Sequence, residues 1–125
     1  DVANYFFHRL AHEWRWLYKN LHSYHHQKFY VEHSVWSLFY VQPIEMIISN
    51  ICFFCGFFIF ETDMFTVFFF GFFSQAFVSA GHSGIALTGI WDTLLDPTFH
   101  HIHHCTFTAN YAEHLTILDR LFGTY

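Results

Sequence analysis

The sequence predicts an all-α integral membrane fold, in which a transmembrane helical hairpin connects cytosolic helices that carry a cage of histidines. Composition supports this fold class, because the 125 residues are 54% hydrophobic and 24% aromatic but only 12% charged. A soluble domain has roughly 25% charged residues. The positions of the histidines support it too, because all 12 lie outside two long apolar segments.

Two apolar segments form the predicted hairpin. Residues 44–60 are apolar apart from Glu45 and the pair Ser49-Asn50, and residues 64–80 contain no charged side chain. Each has about 17 residues, the short limit for a helix that crosses a bilayer. The polar residues 61–63 join them as a tight turn. A buried hairpin of a soluble all-α protein is the alternative, although two adjacent segments with so few charges disfavour it.

Basic residues predict the orientation of this hairpin. All five lie in the flanking segments and none lies in the turn, namely Arg9, Arg15, Lys19, Lys28 and Arg120. The positive-inside rule therefore places both flanks in the cytosol. Because a hairpin returns the chain to the membrane face that it left, residues 1–42 and 81–125 should meet there with every histidine.

Charge, cysteine content and length narrow the function classes. A net charge of −5 with five basic residues leaves no basic stripe for phosphates, so nucleic-acid binding is excluded. The three cysteines are an odd number, and two of them lie in an apolar segment, which indicates a reducing setting rather than a disulfide framework. The length suits one domain, residues 1–125. Because the sequence starts at Asp1, we expect N-terminal segments that are not in this chain.

The remaining segments are predicted to be helical. Residues 2–19 and 21–33 form the first helices. Asp96 is the expected N-cap of a further helix, with Pro97 at the first helical position. Residues 111–122 are predicted to form a last amphipathic helix that ends at Gly123.

Three histidine clusters stand out in the flanks. They follow the patterns HxxxH at His8 and His12, HxxHH at residues 22–26 and HxxHH at residues 100–104. Spacings of three and four residues place the outer histidines of each cluster on one helical face. Each cluster can therefore present two or three imidazoles in one direction.

Such a set of imidazoles predicts two metal ions. Neutral imidazole binds iron and other first-row transition metals, and eight or nine of these rings exceed what one tetrahedral zinc site uses. In one straight helix His8 and His22 would be about 21 Å apart, so we expect the helix to break near Lys19-Asn20. The candidate ligands are His8, His12, His22, His25, His26, His100, His103 and His104, with His82 as a ninth. His33, His101 and His114 are expected beside the site.

The sequence does not complete other known metal-binding or redox motifs. His12-Glu13 begins like the zinc-protease motif HExxH, but Trp16 occupies the position of the second histidine. No glutamate has a histidine three residues later, which excludes the Glu-x-x-His pairs of soluble di-iron bundles. Cys52 and Cys55 have CxxC spacing, but in an apolar helix they are expected to pack.

The order of these motifs resembles the fatty acid hydroxylase/sterol desaturase superfamily of membrane di-iron enzymes, nearest its sterol C-5 desaturase and C-4 methylsterol oxidase types. The segment YFFHRLAHEWRWLYKNLHSYHH looks like the first two histidine boxes of that family, and FHHIHH looks like the third. The tail NYAEHLTILDRLFGTY is similar to the ending of sterol-acting members. The chain departs from the family pattern at Gln42, where His often precedes Pro-Leu-Glu, and in a third box of HHxHH rather than HHxxHH.

This resemblance implies that the eight clustered histidines hold two iron ions. It further implies an O2-dependent lipid oxidoreductase that hydroxylates or desaturates a sterol or fatty-acyl substrate. Electrons would come from NAD(P)H through cytochrome b5 or a similar donor protein, at the endoplasmic reticulum with the histidines facing the cytosol. Family members also carry N-terminal transmembrane helices that we expect outside this chain. A catalytically degenerate structural subunit of a membrane complex, or a metal-binding or transport protein, remains the alternative.

Several polar residues are candidates to support the ligands. Metal-bound imidazoles need acceptors for their second N–H group. Asp96, Asn110, Glu113 and Asp119 lie close enough in sequence to supply them, or to act as ordinary caps. Glu45, in the first turn of an apolar helix, is expected to interact with the helix dipole at the interface.

Overall fold

A computed structural model describes residues 1–29, 34–84 and 97–125. In these ranges every regular element is helical, which confirms the all-α class. In chain order the elements are α1 (Val2–Glu13), α2 (Arg15–Leu17), a π-helical turn (Tyr18–His22), α3 (Ser23–Phe29), a 3₁₀ helix (Val35–Phe39), α4 (Pro43–Ile59), α5 (Met64–Ser83), α6 (Thr98–Thr106) and α7 (Ile117–Phe122).

The first helix ends earlier than predicted. Trp14 has an extended backbone with φ −89° and ψ 101°, so the break lies there and not at Lys19-Asn20, which lie in the π-helical turn. A single helix over residues 2–19 was therefore wrong, although the need for a break is confirmed. The break reverses the direction of the chain and so brings the His22 ring back to His8, with their Nε2 atoms 3.1 Å apart.

The two apolar helices, α4 and α5, follow one another across residues 61–63. Asp63 caps α5 by accepting hydrogen bonds from the backbone N–H and the hydroxyl of Thr66, at 3.0 and 2.6 Å. The rings of Phe53 and Phe57 contact Phe70, with centroids 5.4 and 5.3 Å apart. Of the helices described, α5 is long and apolar enough to cross a membrane, and α4 is shorter with 17 residues.

The described core is small and mostly polar. Its buried hydrophobic cluster consists of Tyr5, Phe99, Tyr111 and Ala112. Large apolar side chains on α4 and α5 are instead exposed, for example Phe58 at 85%. The deepest part of the fold therefore lies where α1, α3 and α6 meet, and histidines fill it.

The C-terminal segment is less helical than predicted. Helix α7 covers only Ile117–Phe122, and it ends at Gly123 as expected, with φ 68°. Residues 111 and 112 do not continue the helix because the Asp119 carboxylate accepts hydrogen bonds from their backbone N–H groups at 2.8 and 2.9 Å. Helix α6 begins at Thr98, so Pro97 precedes it instead of occupying its first position. The predictions for Asp96, His33 and a helix as far as residue 33 lie outside the described residues.

Candidate metal centre

The structure brings all nine candidate ligands together in two adjoining groups. The five-histidine group consists of His8, His12, His22, His26 and His103, and the four-histidine group consists of His25, His82, His100 and His104. Within each group the candidate ligand atoms all lie within 4.8 Å of one another. Among the described residues, His101 and His114 belong to neither group.

Neighbouring histidines in the sequence are divided between the two groups. Each of two adjacent pairs gives one ring to each group. The pairs are His25-His26 on α3 and His103-His104 on α6. Consecutive residues on an α-helix point about 100° apart, so one HH pair can serve two sites. Helix α1 adds rings only to the five-histidine group, whereas the end of α5 adds His82 to the other. The rings of His26 and His104 are 4.5 Å apart at their centroids, so the groups are in contact.

The four-histidine group forms a closed ring of Nε2 atoms. Successive Nε2–Nε2 distances are 3.1 Å from His25 to His104, 3.1 Å from His104 to His100, 3.3 Å from His100 to His82 and 3.3 Å from His82 to His25. Four nitrogens at about 2.1 Å from one ion lie about 3.0 Å apart in a square and about 3.4 Å apart in a tetrahedron. The observed spacing therefore fits four ligands around one metal ion.

The five-histidine group has similar spacing. The Nε2 atom of His22 lies 3.1 Å from that of His8 and 3.0 Å from that of His26, which in turn is 3.1 Å from that of His12. The His103 ring lies 4.4 Å from the His8 ring between centroids. This group can accommodate a second ion.

The outer nitrogens of several rings are fixed by acceptors. Nδ1 of His8 donates to the Tyr111 carbonyl at 2.6 Å, Nδ1 of His103 to the Ala109 carbonyl at 2.7 Å, and Nδ1 of His82 to the Val78 carbonyl at 2.9 Å. A carbonyl oxygen can only accept, so Nδ1 carries the hydrogen and the inward Nε2 carries a lone pair. Nδ1 of His22 similarly faces the Glu45 carboxylate.

This arrangement of lone pairs favours a bound cation. The Nε2 atoms of His8 and His22 face each other across 3.1 Å, yet two acceptors cannot form a hydrogen bond. The buried Nε2 of His103 has no hydrogen-bond partner. A buried polar atom without a partner is costly unless a ligand satisfies it. A metal ion would satisfy all three atoms, and imidazole is a suitable ligand for iron.

Burial keeps the rings in the form that binds metal. Desolvation is the main cause that lowers the pKa of His8 to about 4, of His12 to about 2 and of His25 to about 3, with nearby histidines adding to the effect. Imidazoles with such values are neutral at pH 7, and only the neutral ring offers a lone pair to a metal.

Glu45 has a different role from the one expected. It lies in the first turn of α4, but it is 4% exposed, and its carboxylate contacts Nδ1 of His22 instead of lying at an interface. A carboxylate on the second nitrogen is the kind of partner that orients an imidazole for metal binding. One signal in the sequence could have shown this: Glu45 is the only charged residue in segment 44–60 and lies at its histidine-bearing end.

The other predicted supporting residues act indirectly or elsewhere. Asn110 donates to the Phe99 carbonyl at 3.1 Å, and Glu113 accepts from Asn4 at 2.7 Å, so neither is seen to bond a ligand ring. Asp119 holds the N–H of Tyr111, whose carbonyl binds His8. The direct acceptors are backbone carbonyls, which sequence reasoning missed because their position depends on the fold.

A cavity of about 280 Å³ opens beside both groups. Its histidine end includes His8 and His22 from one group and His25, His82 and His100 from the other. It continues between α4 and α5 past Phe53, Phe54 and Gly71. The candidate metal centre therefore borders a space with apolar walls.

Known proteins are similar to this chain over nearly its whole length. The family model described as Fatty acid hydroxylase matches residues 1–124. The chain is 32% identical over 128 residues to a putative methylsterol monooxygenase of Dictyostelium discoideum, covering 99% of the chain and 47% of that protein. It is 24% identical over 127 residues to a Delta(7)-sterol 5(6)-desaturase of Gibberella zeae, covering 100% and 38%. It is 29% identical over 132 residues to sphinganine C4-monooxygenase 1 of Arabidopsis thaliana, covering 100% and 50%.

The chain thus spans half or less of the length of these relatives. No solved structure matches it at a comparable level of significance. The match to the family model covers nearly the whole chain and includes every histidine of both groups. The chain belongs to the fatty acid hydroxylase family.

Proposed function

We propose that this chain is the catalytic core of an O2-dependent lipid oxidoreductase, which hydroxylates or desaturates a sterol or fatty-acyl substrate at a di-iron centre. The observation that carries this proposal is the pair of histidine groups, whose inward lone pairs adjoin one apolar cavity. The names of the relatives support it, because a methylsterol monooxygenase, a sterol desaturase and a sphinganine monooxygenase all act on lipids.

The nine histidines would hold the two ions, five at one and four at the other. When bound, the irons would supply the activation of dioxygen that removal of hydrogen from an unactivated C–H bond requires. The chain contributes orientation: the carbonyls of Val78, Ala109 and Tyr111 fix their imidazoles with Nε2 inward. Phe7, Phe53 and Phe54 give the cavity apolar walls that favour a lipid chain over water.

The proposed reaction requires an electron donor. Hydroxylation reduces dioxygen to an alcohol oxygen and one water, and it takes two electrons from the C–H bond and two from a donor. Desaturation yields an alkene and two waters with the same donor electrons. The donor would be an NAD(P)H-dependent protein such as cytochrome b5, which this family membership favours.

The proposal includes a membrane topology for the two apolar helices. We assign α4 and α5 as a hairpin that enters and leaves on the cytosolic side of the endoplasmic reticulum. The exposed rings of Phe58, Phe65 and Phe72, at 85, 73 and 63%, support lipid contact, because a soluble protein rarely exposes so large an apolar surface. The histidine groups would then lie at the cytosolic ends of both helices.

Turnover with labelled oxygen tests the proposal. Membranes that contain the chain are supplied with NADH, a donor chain and ¹⁸O2, and with a panel of sterols and fatty-acyl lipids. We expect a product that either carries one ¹⁸O atom in a new hydroxyl group or has a new double bond, identified by mass spectrometry.

The control is the double variant His103→Ala/His104→Ala, which removes one ligand from each group and should abolish the product. Variant His101→Ala, in the same helix but outside both groups, should retain it. Absence of product for every lipid in the panel, in membranes where the chain holds iron, would overturn the assignment as an oxygenase.

A further inference from the structure

One polar pair in the cavity has no role in holding the histidines. Asn4 and Glu113 both line the cavity, and Nδ2 of Asn4 donates to Oε2 of Glu113 at 2.7 Å. Asn4 is 4% exposed, so this amide is buried. Within the described parts of the chain, Oε1 of Glu113 accepts no hydrogen bond, although Oε2 does. A carboxylate oxygen therefore remains available on the wall of the cavity.

The pair is connected closely to one candidate ligand, His8. Asn4 precedes His8 on the same face of α1 by one helical turn, and both line the cavity. Glu113 follows Tyr111, whose carbonyl binds His8, by two residues. Phe53, Phe54 and Gly71 line the cavity on α4 and α5, together with the polar residues Asn50 and Gln75.

From this geometry we infer that Glu113, oriented by Asn4, is a specificity-determining residue that accepts a hydrogen bond from a hydroxyl group of the lipid. The inference rests on the proposed function and assigns a residue of this chain to substrate selection. The lipid hydroxyl binds at the Asn4–Glu113 pair, and the apolar body of the lipid lies against the phenylalanines of the cavity.

Asn4 has two effects in this arrangement. Its N–H group holds one carboxylate oxygen, which fixes the direction of the other. It also connects α1 to a residue 109 positions away, so the pair joins the histidine-bearing helix to the C-terminal segment. Because a purely structural connection would give the same contact, the test must separate the two roles.

Binding of two matched lipids separates them. The probes are tritiated 5α-cholestan-3β-ol and 5α-cholestane, which differ by one hydroxyl, and the full-length protein is placed in nanodiscs without reductant. Wild type should bind the hydroxylated lipid about tenfold more tightly, as one additional buried hydrogen bond provides. Variant Glu113→Leu should bring this ratio close to one and leave the affinity for cholestane unchanged. A purely structural role would lower both affinities together.

Two further variants keep the test decisive. Glu113→Gln keeps an amide oxygen as acceptor for Asn4 and should fold as wild type. Its free end is then an NH2 group, which can only donate to the hydroxyl, so the ratio should fall to about threefold. Gln75→Leu, which removes another polar group from the cavity wall, should leave the ratio unchanged. A wild-type ratio near one, an unchanged ratio in both Glu113 variants, or loss of the ratio in Gln75→Leu would overturn the inference.

The binding assay needs no turnover, so its outcome is independent of the proposed oxygenase activity. A ratio near one together with active enzyme would refute only the hydroxyl site. A tenfold ratio that Glu113→Leu abolishes, in a protein without turnover, would support the site and contradict the oxygenase.

Discussion

At the residue scale, the site depends on what each imidazole does with its second nitrogen. For His8, His82 and His103 a backbone carbonyl fixes the ring. A side-chain substitution does not remove a backbone acceptor. His22 is different because its acceptor is the Glu45 carboxylate. Glu45 is therefore the position where mutagenesis can test how orientation affects metal binding.

Variant Glu45→Ala should weaken iron binding about 10- to 100-fold, the usual effect of losing a partner that orients a metal-bound imidazole. Glu45→Gln should restore most of the affinity because its amide oxygen still accepts the N–H of His22. The measurement is iron retention during titration with a chelator. Glu61→Gln, in the exposed connection between α4 and α5, is the control. Equal retention in wild type and Glu45→Ala would show that the contact has no effect on the metal.

Buried neutral histidines also predict a pH dependence for the metal-free protein. Unfolded histidines protonate near 6.5, whereas His8 and His25 in the fold do so at about 4 and about 3. Between these pH values the unfolded chain binds more protons than the folded chain. The stability that comes from keeping these rings neutral is therefore fully present above pH 6.5 and is lost as the pH falls. His8 alone accounts for a loss of about 3 kcal/mol by pH 4.

Chemical unfolding of chelator-treated protein in detergent, from pH 7.5 to 4, measures this loss. Variant His8→Gln should show a shallower decline than wild type. A stability that stays level or rises as the pH falls would contradict the burial of neutral rings.

Much of the site could be predicted from residue spacing alone. The nine candidate ligands lie in three local clusters and at His82, and local spacing determines which rings share a helical face. Their division into groups of five and four could not be predicted, because it depends on how α1, α3, α5 and α6 meet. The role of Glu45 was missed for the same reason: its partner His22 is 23 positions away.

At the element scale, the site requires close approach of α5 and α6. A Cβ atom at Gly81 would lie 3.4 Å from Cβ of His100 and 3.5 Å from the Pro97 carbonyl. The next residue, His82, and His100 both belong to the four-histidine group. Contact at Gly81 therefore controls the spacing within this group.

Variant Gly81→Leu should destabilise the protein by about 1–3 kcal/mol, because a larger side chain must push α6 away from α5. Gly81→Ala is the matched control, since its single Cβ meets its neighbours at ordinary contact distances. Thermal unfolding in detergent measures the difference. Equal stability of the two variants would argue against close packing at this position.

The elements that were predicted well are those with strong local signals. Uninterrupted apolar composition predicted residues 44–60 and 64–80, close to the observed Pro43–Ile59 and Met64–Ser83. The break at Trp14 has no Gly or Pro to mark it, and the reversal there is seen only in the fold, where it brings His22 back to His8. Residues 111–116 have helical periodicity, but the carboxylate of Asp119 binds the N–H groups of Tyr111 and Ala112.

At the scale of the whole molecule, the fold combines a polar core filled by histidines with exposed apolar side chains on α4 and α5. Burial of histidines at one end and exposure of phenylalanines along α4 and α5 are opposite to the pattern of a soluble domain. A bilayer around these helices would reconcile both features. The proposed hairpin then places the connection at residues 61–63 on the side opposite to the histidines.

Thiol labelling tests this topology in sealed microsomes, in a background where Cys52, Cys55 and Cys105 are replaced by Ser. A membrane-impermeant maleimide should label Lys19→Cys directly, because the π-helical turn faces the cytosol in the proposed hairpin. Thr62→Cys should be labelled only after permeabilisation. Labelling of both positions in intact microsomes would refute a hairpin that crosses the bilayer.

We propose that the two histidine groups bind two iron ions, and the iron content per chain is the decisive measurement. Detergent-purified wild type and His101→Ala should each contain close to two irons per chain. His104→Ala, which removes one ligand of the four-histidine group, should contain close to one. Wild type that binds no iron, or an iron content that His104→Ala leaves unchanged, would contradict the claim.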